Sequence, residues 1–188
     1  MIAVFTPTRM RITIERYQKM VATGVLTPSD RVELIEGEIL DMAPIGTRHA
    51  SVTGRLLKWL VLALGDRTIV RAGNPIDLGD LSEPEPDLLV LKPRADDYVR
   101  AHPRAEDAVL LVEVADTSLT FDQGRKRDLY AKFGVAEYWV IDVNSQRIHV
   151  HLTPLHGVYQ QIREYTIEDA VSPQAWPEVT IMVRELFA

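Results

Sequence analysis

The chain has 188 residues, 46% of them apolar, and contains no cysteine. This size and composition predict a single domain over residues 1–188 with a buried core, and they exclude disulfides and thiolate metal ligands. The 21 basic and 27 acidic residues give a net charge of −6, which argues against a protein that grips nucleic acid through bulk charge alone. The sequence contains no signal segment and no apolar run that could span a membrane, so we expect a soluble, cytoplasmic protein.

The first half of the chain alternates between helical and extended patterns. Capping residues, turn glycines and apolar spacing mark the boundaries of the elements. In chain order we predict a helix opened by Thr13, a hairpin that turns at Gly37, a helix capped by Thr47 that runs to about Leu64, and strands near residues 69–71 and 75–78.

Two further predicted strands each carry one acid in an apolar setting. Asp87 directly precedes the apolar run 88–91, and Glu113 lies inside the apolar run 109–115. A short run without alternation is typical of a strand buried on both faces. An ionised carboxylate there loses its hydration at a cost of several kcal/mol unless a cation or several donors replace the water. Two such acids on two strands indicate a metal site, and the lack of thiolates favours a hard cation.

The segment after Glu113 supplies a candidate cation. Asp122 is predicted to cap a helix that ends at Gly134. On the helical wheel, Lys126 is the one cation on the side that carries Leu129, Tyr130 and Phe133. A helix that follows the Glu113 strand packs back over that strand, which would aim the Lys126 ammonium at the carboxylates. A strand over residues 137–142 then re-enters the sheet.

As a set, these residues resemble the Uma-type putative restriction endonuclease family of the PD-(D/E)xK phosphodiesterase superfamily. The match rests on Pro86-Asp87, Glu113, Lys126 four residues before Tyr130, residues 134–142, the hairpin 33–39 and His49. The resemblance implies an α/β fold with a restriction endonuclease-like core, in which helices flank a mixed central β-sheet after an N-terminal helix and β-hairpin. It also implies a metal-dependent endonuclease that hydrolyses phosphodiester bonds of nucleic acid, with DNA as the expected substrate, and a homodimer.

The resemblance also implies roles for individual residues. Mg²⁺ or Mn²⁺ would be held by Asp87, Glu113 and the backbone carbonyl of Val114, and Lys126 would complete the catalytic set. Glu33 and His49 are additional candidate site residues. One departure matters, because the superfamily usually places its lysine two residues after the strand glutamate, where this chain has Ala115. Lys126 would supply that cation from the helix instead.

Each site residue also has a structural interpretation. Asp87 could cap a turn after Pro86, and Glu113 could form only a buried salt bridge with Lys126. Lys126 taken alone is typical of a surface lysine, and His49 is typical of a residue that packs at a helix start.

Two other functions compete with the nuclease. Ala115 at the usual lysine position favours a nuclease fold that has lost catalysis and serves as an interaction or dimerisation module. Asp87 and Glu113 could also be a metal-free acid and base pair, as in glycoside hydrolysis.

A second group of histidines is not predicted to bind metal. His149 and His151 alternate with apolar residues, so both are predicted to face outward from a half-buried strand. No third ligand for zinc is apparent beside them.

Overall fold

The structure is a computed structural model that describes residues 8–27 and 29–188. These residues form two compact units. The first comprises the described residues up to Met42 together with Leu78–Pro84, and the second comprises Ala43–Asp77 and Glu85–Ala188. The expectation of one domain over residues 1–188 stays a prediction.

The first unit contains one helix and one hairpin, as the sequence predicts. Helix α1 covers Ile14–Ala22, and strands β1 and β2 cover Val32–Ile35 and Glu38–Asp41. The Thr13 side chain accepts a hydrogen bond from the third residue of α1, which confirms the predicted cap. Gly37 sits in the hairpin turn with a φ of 81°, a conformation that glycine adopts without strain.

The second unit contains the remaining helices and strands. In chain order they are α2 (Thr47–Leu64), β3 (Ile69–Ala72), β4 (Leu88–Leu91), β5 (Ala108–Ala115), α3 (Leu119–Phe121), a π-helical turn (Asp122–Lys126), α4 (Arg127–Lys132), β6 (Glu137–Asp142), β7 (Arg147–Leu155), β8 (Val158–Tyr165), β9 (Ala170–Val171), β10 (Ile181–Met182) and α5 (Arg184–Phe187). Short 3₁₀ turns cover Gly65–Arg67 and Ala105–Asp107.

Six of these strands form one mixed sheet in the order β3-β4-β5-β6-β7-β8. Strands β5 and β6 are parallel, and the other neighbouring pairs are antiparallel. The parallel pair needs a crossover, which α3, the π-helical turn and α4 supply. This mixed sheet with its flanking helices confirms the predicted fold class.

The apolar core lies between the apolar face of α2 and the sheet. The buried residues of α2 recur every four positions, as expected for one face of a helix. They belong to the same apolar cluster as Val112 on β5 and Trp139 on β6. Strand β4 is buried at every position, and β5 is buried at all but one, in agreement with their unbroken apolar sequences. None of the described helices is both long enough and apolar enough to cross a membrane.

Three local predictions are wrong. Thr47 is the first residue of α2 rather than its cap, because Gly46 holds the extended N-cap position. Asp122 lies inside the helical segment, which begins at Leu119 and so precedes the predicted cap. Residues 75–78 form no strand, and Asp77 makes a single parallel bridge to Arg104.

The predicted outward orientation of His149 and His151 is also wrong. His151 is 2% exposed, and its ring lies 5.5 Å from that of Tyr138 and 5.7 Å from that of Tyr159 between ring centroids. His149 is partly buried and lies 3.6 Å from Glu164. Strand β7 is an inner strand of the sheet, and α4 packs against it, so its polar face is covered as well.

His151 makes the fold sensitive to acid. Burial lowers its pKa from 6.5 to about 4, so between these values the unfolded chain takes up a proton that the folded chain does not. We expect the free energy of unfolding to fall by about 3 kcal/mol as the pH drops through this window. Urea unfolding at pH 7 and pH 4 should show a smaller fall for His151→Phe. The exposed-site control His102→Phe should behave as the wild type, and equal falls for all three proteins would contradict the assignment.

Candidate active site

The sheet register brings the two predicted acids together. Strands β4 and β5 pair Leu88 with Val112, and Asp87 and Glu113 are the next residues along the chain at the same end of this pair. Asp87 Oδ2 accepts a hydrogen bond of 2.7 Å from the backbone N–H of Val114. The contact places the Asp87 carboxylate beside the end of β5.

Glu113 is buried and has two donors on one oxygen. Its residue is 4% exposed, and its Oε1 atom lies 3.0 Å from Lys126 Nζ and 2.8 Å from Tyr130 Oη. Lys126 is itself 5% exposed, so the ion pair is closed off from water. The ammonium and the phenol replace hydration that the carboxylate lost on burial. Lys126 therefore lies on the sheet-facing side of its helix, as the helical wheel predicts.

Lys126 is the last residue of a π-helical turn. The turn covers Asp122–Lys126 and leads directly into α4, and both of its end residues are buried. A π-helical turn holds one more residue than an α-helical turn and often occurs at functional sites. Ser118 donates a hydrogen bond to the Asp122 carboxylate, and the Asp122 carbonyl accepts one from Tyr138 Oη at 3.0 Å. These contacts hold the turn against β6.

His49 contacts Asp87 from the first turn of α2. Its Nε2 atom lies 3.0 Å from Asp87 Oδ1. The hydrogen bond with Asp87 raises the pKa of His49, with smaller contributions from Asp87, Asp116 and Asp122 as charges, while burial opposes the rise. His49 is therefore placed at the candidate site and is not only a packing residue at the helix start.

The remaining sequence-predicted residues divide between the two units. Val114 lies beside Asp87, because its N–H donates a hydrogen bond to the Asp87 carboxylate. The N–H and C=O of one strand residue point to the same neighbouring strand. Its carbonyl is therefore directed to the Asp87 side of β5. Glu33 lies on β1 of the first unit, where it is buried, and its part in the site stays a prediction. Ala115 is buried at the end of β5 and provides no cation.

The oxygen atoms of the candidate site are suitable ligands for a hard divalent cation. Two carboxylates and one backbone carbonyl offer only oxygen, the ligand type that Mg²⁺ and Mn²⁺ prefer, and Mg²⁺ usually retains several waters as well. Within residues 8–27 and 29–188, no group of three or more His, Asp or Glu side chains is arranged to hold a metal ion. The side chains thus fit a site with two protein carboxylates, in which water and substrate complete the coordination.

The sequence does not predict the contacts of Tyr130 and Asp122. The helical wheel puts Tyr130 on the apolar side of the helix but gives no sign that its hydroxyl donates a hydrogen bond to Glu113. The available signal was its position four residues after Lys126, since such pairs lie together on a helix. Asp122 was interpreted as a cap, whereas it is a buried acid near His49.

The fold is that of a restriction endonuclease-like α/β protein. The chain belongs to the Uma2 family, described as putative restriction endonucleases, whose model matches residues 14–184. The crystal structure of a putative nuclease belonging to DUF820 from Anabaena variabilis is similar, with a TM-score of 0.75 and 18% sequence identity. The similarity covers 94% of this chain and 97% of that chain, and it shows a shared fold. No curated protein matches the chain.

The His49–Asp87 contact predicts a titration. In the wild type, the folded pKa of His49 lies above 6.5, so the contact stabilises the fold fully below pH 6.5 and less as the pH rises through the folded pKa. Asp87→Asn should lower the pKa of His49, because it removes the charge of the largest contributor. An NMR titration of the imidazole C–H signals measures both values. Asp116→Asn, which removes only a minor contribution, should lower the pKa less, and equal shifts would contradict the contact.

The Glu113–Lys126 pair predicts a non-additive effect on stability. Lys126→Met leaves a buried carboxylate without its cation and should destabilise the fold by about 3 kcal/mol or more. Adding Glu113→Gln removes the charge while an oxygen remains for Tyr130, so the double variant should be more stable than Lys126→Met alone. Urea unfolding measures the difference, and simple additivity of the two losses would contradict the buried ion pair.

Proposed function

We propose that the protein is a metal-dependent nuclease that hydrolyses phosphodiester bonds of nucleic acid, with DNA as the expected substrate. The observation that carries the proposal is that Asp87 and Glu113 adjoin the same end of the β4–β5 pairing, with Asp87 bonded to the Val114 N–H and Lys126 3.0 Å from Glu113. Membership of a family described as putative restriction endonucleases supports the same reaction class. Expectations of a homodimer and of a cytoplasmic location stay predictions.

The acids would hold Mg²⁺ or Mn²⁺ together with the Val114 carbonyl. A divalent cation bound there would lower the pKa of a water ligand and polarise a phosphate oxygen. The contacts of the chain prepare the acids for this task. His49 and the Val114 N–H orient the Asp87 carboxylate, and Lys126 and Tyr130 orient the Glu113 carboxylate. Each carboxylate thus has a fixed direction before any ligand enters.

Lys126 would supply the positive charge that a strand lysine gives in related enzymes. Its ammonium lies on the Glu113 side of the site and is buried, so its field is weakly screened. In that position it can offset negative charge that develops on the phosphate in the transition state, or orient the attacking water. Ala115 is then compatible with catalysis, because the cation arrives from the helix.

Cleavage assays with matched variants test the proposal. Labelled DNA and RNA, each single- and double-stranded, are incubated with protein and Mn²⁺ or Mg²⁺, and products are resolved on denaturing gels. We expect cleavage that EDTA abolishes, and we expect Asp87→Asn, Glu113→Gln and Lys126→Met each to lower the rate at least about a hundredfold. Circular dichroism verifies that each variant is folded.

Glu137→Gln is the control for loss of a buried acid. Glu137 is 2% exposed on β6, where Trp139 and the backbone of Gln174 donate to it. Burial raises its pKa to about 7, so a neutral replacement changes its charge little, while glutamine keeps one of the two acceptor oxygens. This variant should cleave like the wild type. Equal cleavage by Glu137→Gln and the three site variants would overturn the site assignment. Cleavage that survives EDTA would favour a metal-free acid and base pair of Asp87 and Glu113. A wild type that neither cleaves nucleic acid nor binds metal would favour an inactive interaction module.

A further inference from the structure

The hydroxyl of Tyr130 shares one carboxylate oxygen with the catalytic candidate Lys126. Both donors meet Glu113 Oε1, at 2.8 Å for the phenol and 3.0 Å for the ammonium. Tyr130 is fully buried on α4, one helical turn after Lys126. The two donors therefore approach a single oxygen from successive turns of the same helical segment.

The ring of Tyr130 is held rigidly. It packs edge to face on Tyr138, with ring centroids 4.9 Å apart and an angle of 62° between the planes. Tyr138 in turn donates its hydroxyl to the carbonyl of Asp122, the first residue of the π-helical turn that ends at Lys126. The same aromatic pair thus connects the phenol on Glu113 with the turn that carries Lys126.

A phenol and an ammonium together can fix the orientation of the Glu113 carboxylate, which a lysine alone cannot do. The terminal torsion of a glutamate side chain is broad, so its carboxylate plane is not fixed by the rotamer alone. A lysine ammonium is a point charge on a four-carbon stem and attracts the carboxylate without fixing its plane. The phenol has only two side-chain torsions and is locked by packing, so its hydrogen bond sets the direction of the Oε1 atom.

We propose that Tyr130 is a positioning residue that fixes the Glu113 carboxylate for a divalent cation. The proposal rests on the proposed function, because the cation belongs to that site. Tyr130 acts through Glu113 and does not contact the reacting phosphate. Loss of its hydroxyl weakens metal binding while the Lys126 charge remains in place.

The test is the affinity of the whole protein for Mn²⁺ without nucleic acid, measured by isothermal titration calorimetry and by electron paramagnetic resonance of free Mn²⁺. Tyr130→Phe keeps the ring and removes the donor. Changes in residues that orient metal ligands weaken binding about 10-fold to 100-fold, and we expect a loss in this range. In cleavage assays the Mn²⁺ concentration for half-maximal rate should rise, while the rate at saturating Mn²⁺ should change far less.

Tyr159→Phe is the matched control. Its hydroxyl is also buried and donates to a backbone carbonyl, that of Val135, at 2.9 Å, and its ring packs in the same aromatic group. This variant should lose comparable stability and keep the Mn²⁺ affinity of the wild type. Equal losses of affinity in both tyrosine variants, or none in Tyr130→Phe, would show a structural role only and overturn the proposal.

A second pair of variants separates this inference from the proposed function. In a Glu113→Gln background, Tyr130→Phe should cause no further loss of the residual Mn²⁺ affinity, because the group that it positions has lost its charge. A full additional loss would overturn positioning through Glu113. A wild type that binds no Mn²⁺ would overturn the proposed metal site itself, whereas normal binding by both the wild type and Tyr130→Phe would overturn only the role of Tyr130.

Discussion

The carboxylate of Glu113 is buried in an apolar sheet, and the arrangement of the second unit around β5 follows from its need for partners. Burial of an ionised carboxylate costs several kcal/mol even after the protein relaxes. Lys126 and Tyr130 offset that cost, and both lie on the helical segment that returns from the end of β5. The crossover therefore has two roles, since it joins the parallel strands β5 and β6 and also brings the compensating donors to the acid on β5.

Much of the fold could be predicted because burial leaves a plain signal in the sequence. Unbroken apolar runs located β4 and β5, and four-residue spacing located α2. The errors arise where tertiary contacts decide. Alternation along β7 shows which residues share a face, but it does not show that α4 covers the other face, so His151 was predicted to be exposed. Likewise, the helix begins three residues before Asp122, and no local pattern distinguishes a π-helical turn from an ordinary one.

The part of the candidate site that could be predicted is the part in which a charged side chain is buried at a cost in free energy. Glu113 stood out as an acid in an apolar strand, and the helical wheel selected Lys126 as the cation that faces it. His49 could not be paired with Asp87 by the same reasoning, because the two are far apart in sequence and meet only after α2 packs on the sheet. Tyr130 was hidden for a different reason. An aromatic residue in an apolar stripe is expected to pack, and nothing local shows that its hydroxyl also has a partner.

The energetics of the buried pair bear on why the chain contains it. A buried ion pair often adds little stability compared with apolar residues of the same volume, so stability alone is a weak reason for a glutamate and a lysine inside this sheet. In the proposed metal site, the charges of the pair would have a use that apolar residues could not have. A strand lysine and a helix lysine can serve that use equally well if their ammonium groups reach the same carboxylate. Whether Lys126 can replace the usual strand lysine thus depends on where its ammonium group lies. The contact between Lys126 and Glu113 matters more for this than the spacing of the two residues along the chain.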